Sequence, residues 1–74
     1  MLVQREPPDL RALSMLAGVY ARTGRFDKAI VFYQRLLHAQ PGYRDGRIYL
    51  ARLLSREGRY EEAIVEYRKV LGGG

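Results

Sequence analysis

The chain has 74 residues, no cysteine, one histidine and a net charge of +5, with eleven arginines against two lysines. That length allows one small domain with a modest core, and without cysteine there is no disulfide staple and no thiolate metal site. No apolar run approaches the ~20 residues of a membrane span, and the start MLVQREPPD lacks the charged-then-apolar pattern of a signal peptide.

The first predicted helix covers residues 10 to 21, where Leu10, Leu13, Leu16, Ala17 and Tyr20 recur at intervals of three and four. Asp9 stands before it as N-cap, with Pro8 ahead. Gly24 ends it, because glycine enters the left-handed conformation of a helix terminus without a Cβ clash. A second stripe runs through Phe26, Ala29, Ile30, Tyr33, Leu36 and Leu37 until QPGY at 40 to 43 breaks it. The third helix carries the broader apolar set Ile48, Leu50, Ala51, Leu53 and Leu54, closed by Gly58. Tyr60, Ala63, Ile64, Tyr67, Val70 and Leu71 mark the fourth. Asp27, Glu61 and Glu62 fall in first turns, where carboxylates suit the helix dipole. The links Thr23 to Arg25 and Glu57 to Arg59 are short enough to force antiparallel neighbours, and Ala17, Ala29, Ala51 and Ala63 allow close crossings.

The two halves say the same thing: TGRFDKAIVFY at 23 to 33 returns as EGRYEEAIVEY at 57 to 67. Laying Leu10 to Leu37 against Arg44 to Leu71 gives ten identities in 28 pairs, where ordinary composition gives roughly two. The period is 34 residues.

In this period and in Leu13, Leu16, Ala17, Tyr20, Gly24, Ala29, Tyr33 and Pro41, the chain resembles the tetratricopeptide repeat. The second copy keeps Leu50, Ala51, Gly58, Ala63 and Tyr67 but has Arg47 where the first has Leu13, and Leu54 where the first has Tyr20. The resemblance implies an all-α fold: antiparallel helix-turn-helix pairs stacked as a right-handed superhelix. Residues 9–42 form the first unit and 43–71 a truncated second. Residues 1–8 read as the tail of a preceding repeat, since Leu2 aligns with Leu36 and Pro7 with Pro41, or as an N-terminal extension, and 72–74 as a glycine tail.

The resemblance further implies a protein-binding scaffold with a concave groove lined by the first helix of each unit. Here the groove residues are Arg11, Ser14, Met15, Gly18 and Arg22, then Asp45, Ile48, Tyr49, Arg52 and Arg56. The carboxylate clamp known in the family is not expected, because Ser14 and Gly18 stand where it has lysine and asparagine. Arg22, Arg52 and Arg56 are placed to hold an acidic partner, and Met15, Ile48 and Tyr49 offer an apolar platform. A basic residue before a turn glycine also serves the helix C-terminus, which is the plainer reading of Arg22 and Arg56. Tyr20, Phe26, Tyr33, Tyr60 and Tyr67 read as packing positions, and Tyr43 in the link is left open. His38 reads as a solvated helix-terminal residue.

Stacked units are stabilised by their neighbours, and no polar capping helix follows Leu71. Ala63, Tyr67, Val70 and Leu71 are therefore expected to form a self-association face, with a symmetric dimer as one outcome. On the same reading Tyr67→Ala costs a few kcal/mol, the range for buried aromatics.

Catalysis has little support: there is no nucleophile with a base at useful spacing, no phosphate loop and no metal-ligand cluster, and no cofactor is expected. An RNA-binding helical repeat is the alternative raised by the positive charge. The arginines are scattered among Asp27, Glu57, Glu61, Glu62 and Glu66, as on solvated helix faces, and the 34-residue period fits the protein-binding family better than the 35-residue RNA readers. The second unit looks similar to repeats of bacterial envelope and secretion proteins, which leaves the compartment open between cytoplasm and periplasm.

Overall fold

The computed structural model of the chain describes residues 9–72; the expected tail of a preceding repeat at 1–8 and the last two glycines lie outside them. Four helices follow one another: α1 (Leu10–Arg22), α2 (Phe26–Ala39), α3 (Arg44–Arg56) and α4 (Tyr60–Val70). Each packs on the next in sequence, α1 on α2, α2 on α3 and α3 on α4, which makes the molecule an all-α helical repeat.

The local signals act as expected. The Asp9 side chain accepts hydrogen bonds from the backbone N–H groups of Arg11 at 3.0 Å and Ala12 at 3.4 Å, satisfying donors that the first turn leaves free. Gly24 and Gly58 sit at φ +84° and +80°, so each helix pair turns at a residue in the left-handed region. Beside each glycine the next backbone N–H closes the turn, Arg25 onto Tyr20 O and Arg59 onto Leu54 O, both at 2.8 Å. At the start of α4, Arg59 donates to both carboxylate oxygens of Glu62 at 2.6 and 3.0 Å. That exposed bond holds the Glu62 carboxyl below its ordinary range.

Ala17, Ala29, Ala51 and Ala63 are all buried, and around them lie Ile30, Tyr33, Leu36, Leu37, Leu50, Leu53 and Leu54. Most of this core belongs to α2 and α3 because they are the inner helices, each with a neighbour on both sides. Leu10, Leu13, Tyr20, Phe26 and Phe32 pack against it from its edge.

Two expectations need correction. Tyr60 is 65 % exposed and is no core residue, although its counterpart Phe26 packs against the core. Tyr67 is 38 % exposed where its counterpart Tyr33 is 5 %, so Tyr67→Ala removes a partly covered ring and costs about 1–2 kcal/mol rather than the full value for a buried aromatic. The cause is the same for both: α3 covers this face of α2, and among the described residues no helix covers it on α4.

The odd residue Arg47 has a physical account. Its Nη1 donates to Glu66 Oε1 at 2.7 Å, its Nη2 donates to Pro41 O at 2.8 Å, and both charged side chains are mostly buried. In the first unit the same two positions hold Leu13 and Phe32, which pack on the core. One unit solves the site with apolar packing, the other with an ion pair. Removing one partner strands the other, so Glu66→Gln should cost about 1–2 kcal/mol. Installing the first unit's solution, Arg47→Leu with Glu66→Phe, should come within about 1 kcal/mol of the parent. Urea melts of the three variants measure both effects.

Candidate binding groove

Arg11, Ser14, Met15, Gly18 and Arg22 share one face of α1 by helical spacing, and Asp45, Ile48, Tyr49, Arg52 and Arg56 occupy the equivalent face of α3. Between the two helices an open depression of about 420 Å³ is lined by Ser14, Met15, Gly18 and Arg22 from α1, together with Val19 and Ala21, and by Tyr49 from α3, with Tyr33 of α2 beneath. The Tyr33 and Tyr49 rings lie 5.8 Å apart in a tilted pair. Burial pushes the Tyr33 phenol above its ordinary value; Tyr49 and Tyr43 add to this and Arg22 opposes it. The phenol is therefore a neutral hydrogen-bonding group on the floor.

A larger depression of about 820 Å³ adjoins it where α1 and α3 end. Arg22, Arg52 and Arg56 stand around it, over Phe26, Leu53 and the Thr23–Gly24 turn. Arg56 lies over the Phe26 ring, its guanidinium carbon 4.8 Å from the ring centre, a cation–π contact that fixes its position. Arg22 reaches back one turn over Gly18, where an added Cβ would sit 3.6 Å from its Nη1. Among the described residues no carboxylate comes within 4.0 Å of these three arginines. They are also the last-turn basic residues of α1 and α3 in the case of Arg22 and Arg56, so the helix-terminal role and an outward-facing charge coexist.

Arg11 lies at the other end, beside Ser14, Met15, Leu36, Gln40 and Tyr43 around a third depression of about 340 Å³. Asp45 is exposed in the first turn of α3 and Ile48 is half-buried, and neither lines these three depressions. Ser14 is partly committed, since its Oγ and the Tyr43 hydroxyl share a hydrogen bond at 3.4 Å. Among the lining residues that sequence reasoning did not place on this surface are the two rings Phe26 and Tyr33. Their apolar spacing marks them as packing residues, and a ring at the floor of a groove, half-buried as Phe26 is or buried as Tyr33 is, carries the same pattern as any core ring.

The residues expected to form a self-association face differ in exposure. Ala63 is 2 % exposed because it fills the α3–α4 crossing, so it cannot belong to that face. Val70 is half-buried, while Tyr60, Ile64, Tyr67 and Leu71 form one exposed apolar stripe at 65, 50, 38 and 82 %. Among the described residues no helix is long and apolar enough to cross a membrane, and no group of three or more His, Cys, Asp or Glu is placed to hold a metal ion.

Four consecutive helices, a 34-residue period and buried alanines in each helix agree with what comparison with known families gives. One tetratricopeptide repeat family model matches residues 24–72 and a second matches residues 2–44. The chain belongs to the tetratricopeptide repeat family, whose members generally mediate protein–protein interaction. No individual curated protein matches it.

Proposed function

We propose that this repeat pair is a non-catalytic protein-binding module whose groove between α1 and α3 takes an acidic peptide segment. The observation that supports it most is the convergence of Arg22, Arg52 and Arg56, free of carboxylate partners among the described residues, over the apolar floor of Phe26 and Leu53. An arginine fork is preorganised to bind carboxylate in two parallel hydrogen bonds, and Met15 and Tyr49 next to it supply apolar contact for the flanking side chains. Neither depression contains an Asp, Glu or His that would act as acid or base.

The test is a fluorescence-anisotropy titration with a labelled peptide of alternating Glu and Leu, its Lys-for-Glu twin, and a single-stranded oligouridylate. The acidic peptide should bind, the basic twin should not, and Arg52→Glu with Arg56→Glu should weaken binding at least about tenfold, because each lost charge-assisted contact contributes ~1.5–3 kcal/mol. Binding should weaken with added salt. Oligouridylate affinity exceeding that of the acidic peptide would replace this reading with the RNA-binding one.

A further inference from the structure

The first and last described helices carry copies of the two halves of the molecule's own central interface. Where α2 meets α3, Ile30, Tyr33 and Leu37 of α2 and Gly46, Leu50 and Leu53 of α3 are all buried. Shifted by the 34-residue period, the α2 set becomes Ile64 and Tyr67 on α4 and Leu71 at its C-cap. The α3 set becomes Ala12, Leu16 and Val19 on α1. Every one of these six is exposed, Leu16 at 39 % and Val19 at 43 %. Among the described residues, α4 thus presents the α2-type surface and α1 the α3-type surface.

The geometry points to a second copy of this chain as the occupant of α4, seated head to tail: α1 of one copy packs on α4 of the next as α3 packs on α2. The residues at the junction fit their templates. Ile64, Tyr67 and Leu71 are identical to their α2 counterparts, and Leu16 is identical to Leu50. The cation–π contact of Arg56 with Phe26 at 4.8 Å has its counterpart in Arg22 on Tyr60, a ring that is 65 % exposed and ready for a cation. Ala12 replaces Gly46, and the ring that crowds Gly46 belongs to Tyr43, whose counterpart is the small Asp9. A methyl group is therefore accommodated at the junction where the central interface demands glycine.

This interface is heterologous, since different surfaces meet, and repeating it does not close on itself. Assembly is open-ended rather than dimeric. The copies each carry +5, so their repulsion opposes apolar burial and salt should strengthen association. That sign is opposite to the one expected for acidic-peptide binding, so the two readings fail separately.

The experiment is sedimentation velocity of the 74-residue chain from 10 µM to 2 mM at low and high salt, roughly the range in which an interface of a few apolar side chains associates. It includes the variants Leu16→Glu and Ile64→Glu, alone and mixed, and the milder Leu16→Gln and Ile64→Gln. Helicity by circular dichroism checks that each variant folds. The parent should pass beyond dimer without a plateau and do so more readily in salt. Either Glu variant alone should associate at least about tenfold less. An equimolar mixture should form a heterodimer and stop, because each partner retains the end that the other lacks. A parent that plateaus at dimer while Leu16→Glu still dimerises would overturn the proposal in favour of α4–α4 pairing. A monomer at every concentration and salt would overturn it outright.

Discussion

Ile30→Ala should unfold a large fraction of the molecule while Ile64→Ala leaves it nearly intact, although the two isoleucines hold the same position in successive repeats. Ile30 is 1 % exposed, with α1 on one side of α2 and α3 on the other; Ile64 is 50 % exposed on α4. Deleting a fully buried isoleucine costs about 2–5 kcal/mol through lost transfer energy and the cavity left behind. A chain of this size has on the order of 5 kcal/mol to lose. At Ile64 about half of the burial is absent from the start, and alanine returns roughly half a kcal/mol in helix propensity. The net cost there should stay under about 1 kcal/mol. Urea melts followed by circular dichroism at 10 µM protein, a concentration kept on the order of tens of micromolar to limit association, compare the two. Equal costs would mean that the α4 face is covered in solution at that dilution. If copies stack head to tail, the cost of Ile64→Ala should instead grow with protein concentration.

The same pair of residues marks the boundary of what the sequence discloses. Helix limits, the turn glycines at φ +84° and +80° and the buried alanines follow from contacts within one repeat, and both copies state them in the chain itself; the Asp9 cap is equally local but belongs to the first copy alone, since Tyr43 stands at its place in the second. Most of the proposed groove is legible for the same reason, since helical spacing alone puts Ser14, Met15, Gly18 and Arg22 on one face. Exposure is different. Ile30 and Ile64 sit in nearly identical local sequence, and only the helix stacked on α2 distinguishes them, so Tyr60 and Tyr67 look like core and are not. The Arg47–Glu66 pair is hidden for a related reason: its members are nineteen residues apart on different helices. Each alone reads as a surface charge, and only their meeting explains why a leucine position accepts arginine.

Gly46→Leu should destabilise the chain by about 3 kcal/mol, the upper end of what overpacking a filled site costs, even though leucine is the better helix former by nearly 1 kcal/mol. Gly46 is buried inside the first turn of α3, where it has no need of an unusual backbone conformation. Its requirement is space. A Cβ there would lie 2.6 and 2.8 Å from two carbons of the Tyr43 ring and 3.5 Å from a Leu36 methyl. The Leu36 contact is ordinary, whereas the ring contact is closer than real Cβ atoms tolerate, so Tyr43 has to move. Moving it breaks the hydrogen bond to Ser14 that links α1 to the start of α3, so the disturbance reaches the wall of the groove. Gly46→Ala separates the opposing effects: propensity favours it by about 1 kcal/mol, and displacement of the ring opposes it by about 1–3 kcal/mol, for a net loss. In the Tyr43→Ala background the obstacle is gone. There Gly46→Ala should become neutral or stabilising, and a double-mutant cycle should return a coupling of at least about 1 kcal/mol. Strict additivity would show that the ring yields freely and that Gly46 is held by something other than Tyr43.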